Sequence, residues 1–183
     1  VYGAPIIEFT LKNISKHINK NSIYITIPKK ITKNEKNILY KYTTNNLIYG
    51  GKTRFQSLKN ALISIDKLNY DFLMVHDAAR PLTPKTIIKK LLESMKSGKY
   101  DSALPFYSAE DTLRKNLKSV NRDEYTLYQT PQIFKFSLFK KSINKIKINP
   151  TDDFGVVEKN KRNKVKYIET SKENIKITKS SDV

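Results

Sequence analysis

Residues 76–81, His76-Asp-Ala-Ala-Arg-Pro81, set an acid and a base around two alanines, directly after the apolar run Phe72-Leu-Met-Val75. A carboxylate at the mouth of a buried strand is costly unless it is ligated, hydrogen-bonded or open to solvent. Asp77 therefore suits a hard divalent cation such as Mg²⁺, which takes one or two carboxylates and completes its shell with water and substrate phosphate oxygens. Arg80 offers a planar donor fork for phosphate or ribose oxygens, and Ala78 and Ala79 leave room for a ligand against the backbone. A capping aspartate beside a surface arginine would explain the same spacing without any chemistry, so the stretch has to be weighed with its neighbours.

Gly50-Gly51 ahead of a helix lets backbone amides approach a base or phosphate, and equally serves as a tight turn. Ser57, one turn into that helix, either donates to a ligand or faces solvent. His76 reads as a structural hydrogen-bonder, and His17 lies near a helix C-terminus, a favourable place for an imidazole. Thr130-Pro-Gln132, Thr151-Asp-Asp153 and Asn174-Ile-Lys-Ile-Thr178 each bring hydroxyl, amide or ammonium groups to the edge of an element. The chain has no Ser-His-Asp order, zinc-ligand spacing or Walker-type phosphate loop, so acyl transfer and metallohydrolysis find no support. With no cysteine and only two histidines, disulfides and thiolate chemistry are excluded, and little is left for an imidazole-based metal site.

Hydrophobic spacing names the elements that position these residues. Ile7, Leu11, Ile14 and Ile18 behind Pro5 predict a first helix, and Ser22 to Ile27 predicts a strand. Leu47 to Tyr49 is a second strand. Thr53 and Gln56 have capping-box form before a helix whose apolar face is Phe55, Leu58, Leu62 and Ile65. Phe72 to Val75 reads as a strand buried on both faces. Thr83-Pro84 starts a helix with the stripe Ile87, Ile88, Leu91, Leu92 and Met95. A strand follows at Ala103 to Phe106, then a polar, exposed ribbon over 112–128. Phe136, Phe139, Ile143 and Ile146 mark a helix, Val165 to Ile168 a strand, and Ile175 to Ile177 a last extended piece. The alternation predicts a single α/β domain over residues 1–183, a Rossmann-like three-layer sandwich with a mainly parallel twisted sheet and a protruding β-arm. In such folds ligands sit beyond the carboxyl ends of the strands, where Gly50-Gly51 and His76-Asp77 both fall.

The 183 residues carry a net charge of +18 with a hydrophobic share of 38%. A polyanionic partner would explain the charge, but lysine crowds every segment rather than one patch, which favours compositional bias over nucleic-acid binding. No run approaches the length of a membrane span and no basic-then-apolar leader is visible, so a cytoplasmic location is expected.

As an ordered set, these segments resemble the 2-C-methyl-D-erythritol 4-phosphate cytidylyltransferase family of the non-mevalonate isoprenoid pathway. The likeness runs through Gly3-Ala-Pro5, Gly50-Gly-Lys-Thr-Arg-Phe-Gln-Ser57, His76 to Pro81, Asp111-Thr112, Arg122, Thr130-Pro-Gln-Ile-Phe134, Thr151-Asp-Asp-Phe-Gly-Val-Val-Glu158 and Asn174 to Thr178. The resemblance implies in-line attack by the phosphate oxygen of methylerythritol phosphate on the α-phosphorus of CTP, releasing pyrophosphate. It implies that Asp77 binds Mg²⁺ and the nucleotide, that Ala78 and Arg80 line the cytidine site, and that Gly51 and Ser57 read the cytosine. Lys176 would stand near the reacting phosphates, with Asp77 and Arg80 as its catalytic companions. Thr130, Thr151 and Thr178 would be substrate-side hydroxyls. Thr112 and Arg122 would reach a partner's pocket from a dimerisation arm spanning 109–129, so a homodimer is expected.

The family also opens with a strand and a glycine-rich loop that grips the triphosphate, and this sequence starts after that segment. Poor activity of the chain as given is the corresponding expectation. A ribitol- or other polyol-phosphate cytidylyltransferase is the nearest rival, disfavoured by Ala79. A non-catalytic basic binding protein and a non-catalytic remnant are rivals of another class.

Overall fold

The computed structural model describes residues 3–147 and 150–182. Pro5 precedes helix α1 (Ile6–Ile14), which buries Thr10, Leu11 and Ile14. The first strand, β1, is confined to Ile25–Ile27, because Lys20–Ser22 forms a 3₁₀ turn capped by the Asn19 side chain. Helix α2 (Lys33–Tyr40) was not anticipated. Its signal is the reciprocal capping box between Thr32 and Glu35, in a segment too polar to show an apolar stripe. Strand β2 (Leu47–Tyr49) leads into α3 (Arg54–Ile65), whose cap is Thr53 accepting from the Gln56 N–H as the sequence predicts.

Strand β3 (Phe72–Val75), helix α4 (Lys85–Lys96) and strand β4 (Ser102–Ser108) follow as expected. The polar ribbon resolves into a hairpin of β5 (Arg114–Lys115) and β6 (Lys118–Ser119), then β7 (Thr126–Tyr128). Asn116 and Leu117, both at positive φ, make the hairpin turn. Strand β8 (Gln132–Lys135) was also missed, because Ile133 and Phe134 run straight into the apolar stripe of α5 (Phe136–Ile143). Strand β9 (Val165–Glu169) closes the order, while Ile175 to Ile177, expected as a last extended piece, forms no strand.

The larger sheet runs β3-β8-β4-β7, with β9 also paired to β4. β9 lies parallel to β4, whereas β8 is antiparallel to both β3 and β4, and β7 is antiparallel to β4. Strands β3, β4 and β9 therefore share one direction, and β7 and β8 oppose them. The expected parallel core is present with two reversed strands inserted. Strands β1 and β2 form a separate parallel pair.

Three layers result. Leu58, Leu62 and Ile65 of α3 and Phe139 and Ile143 of α5 pack with Leu104 and Phe134 on one face of the sheet. Ile87, Leu91 and Met95 of α4 cover Ala103, Ile133 and Ile168 on the other. Leu11 and Ile14 of α1 join β1, Leu39 and Ile88 in a third cluster. The alternate residues of β3 divide between these clusters, Leu73 and Val75 to the first, Phe72 and Met74 to the α4 side, so both faces are packed. Its residues are nonetheless only partly buried, a correction to the fully buried strand expected.

Candidate active site

β3 ends at Val75, and the next two residues turn out of the sheet beside β8. The Asp77 N–H donates to Thr130 Oγ1 at 3.0 Å, and the Arg80 N–H donates to the Asp77 carbonyl at 3.1 Å, which closes a one-turn loop. The Asp77 side chain is only 11% exposed and meets three cations. Arg54 Nε from the start of α3 lies 3.1 Å from Oδ1, while Lys176 Nζ at 3.1 Å and Arg80 Nε at 3.5 Å face Oδ2. Burial works against ionisation here, but Arg54, Lys176 and Arg80 outweigh it and hold the carboxyl below its usual range. Burial likewise draws the Arg80 guanidinium down, with Asp77 opposing. The result is an anionic oxygen pair inside a cationic pocket, which phosphate groups and a counter-ion can share.

Arg54 is held from behind. Its Nη1 and Nη2 donate to the two oxygens of Asp153 at 2.6 Å each, a bidentate fork. That pairing raises the Arg54 pKa still further, while near-complete burial pushes Asp153 up against the pull of Arg54. Asp153 follows Asp152, which accepts from Gln132 Nε2 at 3.0 Å and from the Gly155 N–H at 3.0 Å.

Beneath the site lies a second network. His76 Nδ1 lies 3.1 Å from Thr130 Oγ1 and Nε2 lies 3.1 Å from Thr83 Oγ1. Thr83 Oγ1 also reaches Asn174 Oδ1 at 2.8 Å, and Asn174 Nδ2 donates to Gln129 Oε1 and the Thr130 carbonyl. The Asn174 carbonyl accepts from Arg80 Nη1 at 2.6 Å, and the Ile177 N–H donates to the Ala79 carbonyl at 2.9 Å. Fully buried Asn174 thus pins the extended segment that carries Lys176 to the loop that carries Asp77.

His76 is structural, as its sequence context suggests. Burial lowers its pKa from 6.5 to about 4, with Asp77 opposing and Arg80 and Arg54 assisting. Between those values the unfolded chain binds a proton that the folded chain refuses, so stability is complete above about pH 6.5 and falls as pH drops toward 4. The loss is expected to be on the order of 3 kcal/mol. Chemical unfolding at pH 7 and pH 4.5 checks it, and His76→Gln should flatten this limb.

The sequence-selected residues fall into three groups. Asp77, Arg80 and Lys176 come together, as expected. Ala78 is exposed beside them, its carbonyl accepting from Thr10 Oγ1 at 2.7 Å, so α1 braces the loop. Gly51 and Ser57 meet at the N-terminus of α3: the Gly51 N–H donates to Ser57 Oγ, which donates on to the Thr53 carbonyl. A Cβ at Gly51 would stand 1.9 Å from Gln56 Cγ, which accounts for glycine there.

The threonines divide. Thr130, expected on the substrate side, is turned inward because its hydroxyl is engaged by His76 and the Asp77 N–H. Thr151 is exposed just before the Asp152-Asp153 turn, and Thr178 caps a short C-terminal turn through Asp182. Thr112 and Arg122 lie on the exposed arm. Among the described residues, Arg122 binds the Glu110 carbonyl, and no hydrogen bond or ion pair joins either residue to Asp77. Arg54, Asp153 and Asn174 were missed as site residues. The sequence signal was only their place inside the Gly50–Ser57, Thr151–Asp153 and Asn174–Thr178 stretches.

No group of three or more His, Cys, Asp or Glu side chains that could hold a metal ion occurs among the described residues. Asp77 fits a divalent cation only as a single carboxylate ligand whose remaining positions are filled by phosphate oxygens and water. Asp77 would hold such an ion beside the half-exposed Lys176, and the ion would supply charge neutralisation for bound phosphates.

Comparison with known proteins gives one answer. Residues 1–183 match the family model described as IspD, 2-C-methyl-D-erythritol 4-phosphate cytidylyltransferase. The protein of that name from Clostridium perfringens is 34% identical over the whole chain, which spans 84% of its length. A bifunctional IspD/IspF enzyme from Wolbachia pipientis is 34% identical over 74% of this chain, and the match spans 35% of that longer protein. In structure, the 4-diphosphocytidyl-2C-methyl-D-erythritol synthase of Anaerococcus prevotii superposes with a TM-score of 0.84 at 27% identity, covering 100% of this chain and 87% of the other.

Proposed function

The chain belongs to the 2-C-methyl-D-erythritol 4-phosphate cytidylyltransferase family, and from that premise we propose how its residues share the transfer of a cytidylyl group from CTP to 2-C-methyl-D-erythritol 4-phosphate. The reaction yields 4-diphosphocytidyl-2-C-methyl-D-erythritol and pyrophosphate, a step toward isoprenoid precursors. A phosphate oxygen of the alcohol phosphate bonds to the α-phosphorus of CTP as the bond from that phosphorus to the β-phosphate's bridging oxygen breaks. Little covalent work falls to the protein, so positioning and charge neutralisation carry the rate.

The observation behind this reading is the Asp77 carboxylate set among Arg54, Arg80 and Lys176 at the end of β3. The Lys176 ammonium, free to leave Asp77, stabilises the charge growing on the phosphoryl oxygens. Arg80 grips phosphate or ribose oxygens, and the Ala78 backbone lies along the cytidine. Gly51 and Ser57 read the base. Asp77 would hold a divalent cation such as Mg²⁺, which supplies charge neutralisation across the triphosphate. Thr151 and Thr178 face the alcohol phosphate, and Thr130 acts by fixing the Asp77 turn.

Thr112 and Arg122 serve the pocket of a second copy, which makes the protein a homodimer through the 109–129 arm. Their exposure supports this, as does the absence, among the described residues, of any hydrogen bond or ion pair between them and the Asp77 cluster of their own chain. Mixing an Asp77→Asn variant with an Arg122→Ala variant, each inactive alone, should restore up to about a quarter of the parent turnover, since half the dimers then hold one intact site. No recovery after subunit exchange would refute sharing across the dimer. Among the described residues no helix is long and apolar enough to cross a membrane, and a cytoplasmic location goes with use of CTP.

The test of substrate is chromatographic separation of products after incubation with CTP, Mg²⁺ and either methylerythritol phosphate or ribitol phosphate. Only the first should give a CDP-alcohol. Conversion of ribitol phosphate alone would assign the chain to the polyol-phosphate branch.

A further inference from the structure

Asp153 is 1% exposed, and both of its carboxylate oxygens are spent on Arg54, at 2.6 Å each. Arg54, with 42% of its side chain exposed, has a single remaining nitrogen, Nε, for Asp77. The guanidinium is thus shared between two carboxylates from distant parts of the chain, and the fork faces the buried one, whose hydrogen bonds among the described residues go to Arg54 alone. A guanidinium released from Asp153 would turn its fork onto Asp77, the other carboxylate it pairs with among the described residues, and would cover both Asp77 oxygens. Such an arrangement would compete with any cation that the nucleotide brings.

We propose that Asp153 is a positioning residue for cytidylyl transfer. It acts through Arg54, confining that side chain to Oδ1 of Asp77 and leaving Oδ2 to Arg80 and to the half-exposed Lys176, which can give way to the cation that accompanies CTP. The proposal rests on the function argued above. Asp153 itself never meets substrate.

Binding of Mn²⁺ with CTP to the protein, followed by the change in the electron paramagnetic resonance spectrum relative to Mn²⁺ with CTP alone, reads this without turnover. Asp153→Asn, isosteric and uncharged, is expected to weaken Mn²⁺ binding about 10–100-fold and to raise the KM for CTP comparably, with kcat changed by no more than about threefold. Adding Arg54→Gln to Asp153→Asn removes the competing guanidinium, and Mn²⁺ affinity should return to within about fivefold of the parent. Should Asp153→Asn fail to fold cooperatively, Asp153→Ser, which likewise frees the guanidinium fork, replaces it with the same expected weakening. Unchanged Mn²⁺ affinity in the single variant, or a double variant as weak as the single, would overturn the proposal. A parent protein that binds no Mn²⁺ with CTP would remove the functional reading and this inference together, an outcome distinct from either of those.

Discussion

Replacing Asp77 by asparagine is expected to cut CTP-dependent pyrophosphate release by at least about 10²–10³-fold, the scale of losing one preorganised charge contact to a transferring group. The shape of the side chain is preserved, so what is removed is charge. Three cations then crowd a neutral amide, with Arg54 still satisfied by Asp153 but Arg80 and Lys176 left without a counter-charge. A modest stability cost of about 1–3 kcal/mol accompanies the loss of these charged hydrogen bonds. Thermal unfolding beside the rate assay separates the two effects. A variant that remains folded at the assay temperature yet does not turn over isolates the role of the carboxylate.

Lys176→Gln is the second large expected effect. Its side chain is 44% exposed and, among the described residues, its ion pair is to Asp77, so stability should change by less than about 1 kcal/mol, as for other exposed pairs. The rate should nonetheless fall about 10²–10³-fold, chiefly in kcat, because the charge is used most where phosphoryl oxygens gain negative charge in the transition state. KM for CTP should move by less than about fivefold. A fall in KM-dependent binding with kcat preserved would instead make Lys176 a simple anchor for the ground-state triphosphate. The pairing of a small stability change with a large rate change distinguishes Lys176 from Asn174, whose buried hydrogen bonds make its loss costly to the fold as well.

Much of this site was legible in sequence because its parts sit at the ends of short, strongly patterned elements. Phe72 to Val75 announces a strand, and Asp77 lies just past it; Thr53 and Gln56 announce the helix that carries Ser57. What the sequence hid is pairing between distant segments. Nothing in the local context of Arg54 or Asp153 says that residues 99 apart form a bidentate fork, nor that Asn174 ties Gln129 and Thr130 to Thr83. The same holds for Thr130, whose hydroxyl meets His76 and the Asp77 N–H across more than fifty residues of chain. The fold followed the same rule. Alternating elements gave the α/β layers, whereas the reversal of β7 and β8 depends on long-range strand pairing that apolar runs do not encode. Helix α2 escaped because a capping box on a polar helix has no periodic stripe to extend it.

One carboxylate at the end of β3, that of Asp77, is expected to make the nucleotide site. Calorimetric titration of CTP in Mg²⁺ into the parent protein and Asp77→Asn, under identical conditions, measures this directly. Saturable binding by the parent and affinity weakened by at least about 30-fold in the variant, roughly 2 kcal/mol, is the predicted result. Equal affinity in the two proteins would contradict it.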